Sequence, residues 1–187
     1  MTLTQPLAAL DIAPRIGRLR ERFDAAEIDA LLVTKRENVR YLSGFTGSAG
    51  VLLVTRAGAL FVTDGRYTER SKEELGAAGV DAAIEIGLTA GKQNELLRGA
   101  VDRGARLGLE DQTVTWSQQR DYAVAFAGVE LVPAGAIVEA LRRVKDAGEV
   151  DRIRRACAIA DDAFQALLPR LAAGLTEQQF ALELEFA

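Results

Sequence analysis

The stretch YLSGFTGSAGVLLVTRAGALFVTDGRY (residues 41–67) decides the fold. Its first ten residues place Gly44, Gly47 and Gly50 at every third position, with Ser43, Thr46 and Ser48 between them and Tyr41 and Phe45 alongside. This spacing is not G-x-x-x-x-G-K-[ST], since no lysine follows Gly50. Nor does it open a helix, as the dinucleotide fingerprint must. An anion cradle needs the N–H groups of a helix N-terminus, and Gly50 leads instead into the apolar run VLLVT (51–55). Spacing alone favours a tight loop whose glycines permit positive φ and close backbone packing. VLLVT and ALFVT (59–63) flank the short link Arg56-Ala57-Gly58, which reads as a β-hairpin. Asp64-Gly65-Arg66-Tyr67 then reads as a turn. Arg66 either braces that turn through Asp64 or offers its planar fork to a carboxylate; composition favours the brace.

Upstream, Ile16, Leu19 and Phe23 form a helical stripe within 14–27, with Pro14 at its start. IDALLVT (28–34) reads as a buried strand, and KRENVRYL as a brief helical turn. Downstream, the sequence predicts a helix over 66–77 ending near Gly79, then strand 80–86, helix 91–104, strand 106–110, helix 115–127 and strand 129–132, closed by Pro133. Trp116, Tyr122 and Phe126 are the expected core contacts of the 115–127 helix. Strands alternating with helices, plus one hairpin, give an α/β domain with a mixed sheet.

The texture changes after Pro133. IVEALRRV (137–144) is a short helix. Asp146 and Glu149 then form a capping box before a stripe from Val150 through Ile153, Cys157 and Phe164 to Leu171. Cys157 reads as a small core residue. Pro169 should bend this helix late or end it early, and Gly174 suits its C-cap. Thr176 and Gln179 open another helix that carries Phe180 and Leu184 but has no stop signal. The expectation is a first domain over 1–134 and a second over 135–187 that is cut off partway.

Composition narrows the chemistry. The 187 residues carry a net charge of −4 and no histidine. Ser-His-Asp and Cys-His catalysis and histidine-containing zinc sites are therefore excluded within this sequence. The single cysteine rules out an internal disulfide, so the cytoplasm is the expected compartment. A weakly acidic chain lacks the basic field of a nonspecific nucleic-acid binder. No apolar run approaches the ~20 residues of a membrane span, and the first residues do not read as a secretory signal. Asp64, Glu110 and Asp111 fall near strand ends, where acids can hold Mg²⁺ or Mn²⁺. Surface acids are also common at such ends. Asp161 and Asp162 are adjacent on a helix and point apart.

The motifs taken together resemble a known family. NVRYLSGFTGSAG, the hairpin and TDGRYTERS are similar to the amino-terminal domain of Xaa-Pro aminopeptidases (aminopeptidase P), relatives of prolidase and creatinase. LGLEDQTVTW resembles a later strand–helix unit. LRRVKDAGEVDRIRRACAIADDAF and GLTEQQFALELEF resemble the opening helices of the catalytic "pita-bread" domain. The resemblance runs in order from about residue 15 to the end of the sequence. It implies a creatinase/prolidase-type mixed α/β domain, followed by the start of an incomplete pita-bread domain. It also implies a parent peptidase with two divalent metals, often manganese, that activate water against the bond before proline. The five metal ligands of the family find no match here, so no catalytic or metal residue is assigned and the chain alone is expected to be inactive. Homo-oligomerisation and proline-containing peptides are the implied partners. Loops of the first domain can border a partner subunit's active site; the matching segments are 43–48 and 64–67, with Phe45, Arg66 and Tyr67 as rim or subunit-contact candidates. The competing reading is a non-catalytic peptide-binding or assembly module, since pita-bread relatives without metal ligands serve in that way.

Overall fold

A computed structural model describes residues 6–171 and 174–186. It contains two compact units, Asp11–Val144 and Met1–Leu10 with Lys145–Ala187.

The larger unit is built on six strands: β1 (Ala30–Val33), β2 (Gly50–Thr55), β3 (Ala59–Thr63), β4 (Ala83–Ile86), β5 (Arg106–Leu109) and β6 (Glu130–Pro133). Their order across the sheet is β4-β3-β2-β1-β5-β6. β2 runs antiparallel to both β1 and β3, whereas β1–β5, β3–β4 and β5–β6 are parallel. The hairpin thus sits inside an otherwise parallel sheet. This explains why its strands are apolar on both faces rather than alternating.

Side chains still sort by a period of two. Leu31, Val33, Leu52, Val54 and Phe61 face one core. Leu32, Leu53, Val62, Leu107 and Leu109 face the other. The first core is covered by α1 (Arg15–Arg20), α2 (Arg36–Ser43), α3 (Thr68–Ala77) and α6 (Ile137–Arg142). The second is covered by α4 (Ala90–Gly99) and by Tyr122 and Phe126 from α5 (Trp116–Ala125) and its C-cap.

Several local expectations shift. The 14–27 stripe is buried as read, but α1 stops at Arg20. Turn bonds from Arg22 N–H to Leu19 O and Phe23 N–H to Arg20 O tighten the chain, and Glu27 takes φ 51°. The reversal drops Ile28 into the core ahead of β1. Trp116 is not a core contact: it is 77% exposed. Thr115 caps α5, so Trp116 occupies the first helical position, beside a pocket of about 250 Å³. Pro133 ends β6 on the outer edge of the sheet, where a missing N–H costs no ladder bond. The compact unit extends through Val144, and α6 places Ile137, Val138 and Leu141 in its first core.

In the smaller unit, α7 (Ala147–Leu171) begins with Asp146 and Glu149 exchanging backbone bonds at 2.8 and 3.0 Å. The segment before Asp11 lies against this start. Ala8 N–H donates to Asp151 at 3.1 Å, and a Cβ on Gly148 would lie 2.2 Å from Ala9 O. α7 contains Pro169 in its last turn, and Gly174 takes φ 77°. α8 (Glu177–Glu185) is opened by a Thr176–Gln179 capping box and meets α7 through an edge-to-face Phe164–Phe180 pair. Cys157 is exposed, contrary to its reading as core, because few α7 side chains are covered among the described residues.

Candidate functional site

Five of the six strands run in one direction, so their carboxyl ends share one edge of the sheet. Open α/β sheets take ligands at that edge. The glycine loop and the turn after β3 both lie there.

α2 delivers the loop. Gly44 closes the helix at φ 76°, its N–H reaching Arg40 O at 2.8 Å. A side chain at this left-handed position is strained, and a Cβ would also lie 2.9 Å from Ala78 Cβ. Ser43 Oγ donates to Val39 O at 2.7 Å and accepts the Phe45 N–H at 3.2 Å. The chain then turns inward, and Phe45 is only 1% exposed. Its ring packs edge-on to Phe61 at 4.8 Å and to Tyr67 at 5.4 Å. Such pairs prefer this geometry because ring edges are positive and faces negative. Gly47 lies over the same ring. A Cβ there would sit 2.3 Å from Phe45 Cζ and 2.9 Å from Tyr67 Cε1. Gly44 is thus required by its backbone conformation, and Gly47 and Gly50 by close aromatic packing.

Two anchors hold the loop from outside. Thr46 donates to Glu74 through its N–H at 2.7 Å and its hydroxyl at 2.6 Å, and Arg70 bonds both Glu74 and Thr46. Burial pushes the Glu74 carboxyl up, but the Thr46 and Arg70 bonds outweigh it and hold the group below the usual carboxylate range. Ser48 meets the Tyr67 hydroxyl at 2.8 Å, which pulls that phenol below its ordinary value.

The turn after β3 is a short 3-10 segment, Gly65–Tyr67. Asp64 accepts the Arg66 N–H at 3.0 Å and grips the guanidinium with both oxygens, at 3.1 and 2.7 Å. Arg66 holds the Asp64 carboxyl below its usual range. The guanidinium also lies 5.3 Å from the Tyr67 ring centroid. The brace reading of Arg66 is what the geometry shows, yet the residue stays exposed at its outer face. The three sequence candidates meet in one cluster: Arg66 outermost, Tyr67 half-buried, Phe45 beneath them in the core. This cluster has hydroxyls and a cation, while Asp64 is committed to Arg66. These groups can hydrogen-bond and pair with an anion, but they include no nucleophile–base pair.

The strand-end acids are also committed. Asp64 grips Arg66, Glu110 accepts backbone N–H groups and Asp111 accepts the Gly135 N–H at 2.7 Å. Among the described residues, no group of three or more His, Cys, Asp or Glu is placed to hold a metal ion. The two-metal site of the resembled family does not fit this donor set, and no metal-dependent step is assigned to these residues. Sequence reading missed the Thr46–Glu74 anchor. Its signal was the i, i+4 pair Arg70–Glu74 on α3.

The Creatinase/Prolidase N-terminal domain family matches residues 15–144. An uncharacterized peptidase, YqhT, of Bacillus subtilis is 36% identical over 174 residues, covering 92% of this chain and 48% of its own length. The structure of an Xaa-Pro dipeptidase from Bacillus anthracis has a TM-score of 0.78 at 34% identity, covering 92% of this chain and 47% of that one. The N-terminal domain of the cytoplasmic peptidase PepQ from Mycobacterium tuberculosis has a TM-score of 0.58 at 34% identity, covering 70% of this chain and 99% of that one. The chain spans about half the length of the curated relatives it matches. Among the described residues no helix is long and apolar enough to cross a membrane.

Proposed function

This chain belongs to the Creatinase/Prolidase N-terminal domain family, and on that premise we propose that it is the N-terminal portion of a dinuclear-metal Xaa-Pro peptidase of the aminopeptidase P type. The observation that carries the reading is the family match over 15–144 within peptidase relatives about twice as long. In this reading, residues from Lys145 onward open the catalytic domain, and the two metals, manganese by family resemblance, bind ligands outside this sequence. The 187-residue chain alone is inactive, and the enzyme works in the cytoplasm.

The first domain then serves assembly and substrate access. Arg66 and Tyr67 stand at the rim of a partner subunit's active site in a homo-oligomer. Phe45 acts from below, by fixing the height of Tyr67 and Gly47. The Asp64 grip supports this role, because it pre-orients a guanidinium that keeps N–H groups for a peptide carboxylate or carbonyl.

The test is peptide selectivity. The chain extended along its own reading frame, supplied with Mn²⁺, is expected to release the first residue from Xaa-Pro peptides and to spare matched Xaa-Ala peptides. Equal hydrolysis of both would remove the proline assignment. Peptide binding without hydrolysis would favour the assembly-module reading.

A further inference from the structure

Glu110 lies just past β5 and is 4% exposed. No step proposed above uses it. Its carboxylate accepts the Thr34 and Lys35 N–H groups at 2.7 Å each and the Asn38 side-chain amide at 2.7 Å. Lys35 is the N-cap of α2, and its side chain makes no cap bond. In a capping box the side chain at the third helical position accepts the N-cap N–H. Here that position is Asn38, and Glu110 takes the N–H in its place while Asn38 holds Glu110. A carboxylate at this end also meets the positive pole of the helix.

Asn38 is fully buried and fully used. Its Nδ2 donates to Glu110 and, at 2.9 Å, to Glu139, and its Oδ1 accepts from Arg142 at 2.9 Å. Lys35 Nζ reaches Glu139 at 2.7 Å. Two carboxylates and two cations thus fasten the start of α2 to β5 and α6. The other end of α2 is Ser43, from which Gly44 launches the Phe45–Ser48 loop. An eight-residue helix is a rod of about 12 Å. Where its start is fixed, its end is fixed too.

We propose that Glu110 is a positioning residue for the Phe45–Ser48 loop, acting through Asn38 and the body of α2. The functional weight of this proposal rests on the rim reading above; the structural coupling does not.

Amide hydrogen exchange on the 187-residue chain tests the coupling. The Phe45, Thr46 and Ser48 N–H groups are all bonded and give readable protection. Glu110→Gln is expected to speed exchange roughly five- to thirty-fold at Lys35–Val39 and at Phe45–Ser48, the range one lost cap produces. Glu110→Asp carries the same readout if the glutamine variant does not fold. Faster exchange confined to Lys35–Val39, or an equal rise at every amide, would overturn the proposal. A second arm separates it from the rim reading. In the extended enzyme, Glu110→Gln is expected to raise KM for an Xaa-Pro peptide while kcat holds. A loop response without a KM change keeps the positioning role and removes the rim role. A KM change without a loop response removes the positioning role.

Discussion

Gly47 and Gly58 are both glycines of the opening stretch, and the structure treats them differently. A Cβ on Gly47 would collide with the Phe45 ring, whereas one on Gly58 meets nothing within 4 Å. Gly47→Ala is expected to destabilise the chain by about 1–3 kcal/mol through overpacking. Gly58→Ala should be neutral or stabilising by up to about 1 kcal/mol, since it only narrows the unfolded ensemble. Urea unfolding of the two variants checks both. The sequence reading of a tight loop with a positive-φ glycine holds at Gly44, but the cause at Gly47 was not legible, because the rings that exclude a Cβ there come from Phe45 and Tyr67 folded back over the loop. Glu74 gives a pH prediction. Its folded pKa lies below its unfolded value, so its stabilisation is complete above the ordinary carboxylate range of about pH 4 and is lost as pH falls through the folded value. Wild type should therefore lose more stability than Glu74→Gln on acidification from about pH 5 to pH 3. Equal slopes in the two acid limbs would refute the anchor.

At the scale of elements, local signals were legible and distant ones were not. The hairpin, the Asp146–Glu149 box and the Thr176–Gln179 box depend on neighbours within a few residues, and each forms as read. α2 looked like a brief turn because Lys35 offers no cap; its cap is Glu110, far along the chain. Trp116 looked like core because its type is apolar, but the Thr115 cap sets it at the helix start, where its ring is exposed. Thr115→Ala is expected to cost about 1 kcal/mol by removing that cap. Trp116→Gln should change stability by no more than about 0.5 kcal/mol, as an exposed substitution. Thermal unfolding compares the pair directly. A larger loss from the tryptophan change would mean that its ring is buried in solution.

Across the whole molecule, the two units differ in how fully their apolar side chains are covered. The unit from Asp11 to Val144 has two full cores on a covered sheet. In the other unit, Ile153, Ile159, Phe164, Leu171, Leu182 and Phe186 are exposed. The proposed catalytic domain would cover these side chains. The 187-residue chain should bind a hydrophobic dye, and Ile153→Glu with Leu182→Glu should abolish most of that signal. The family was readable from ordered motifs at 41–67 and beyond, whereas the proposed rim role would depend on a second subunit that no single sequence displays. The most direct test of the central claim is turnover of an Xaa-Pro peptide with Mn²⁺, measured side by side for the 187-residue chain and for the chain extended along its own reading frame. Metal-dependent release of the first residue is expected from the extended protein and none from the shorter one. Turnover by the 187-residue chain alone, or none by the extended protein, would contradict that claim.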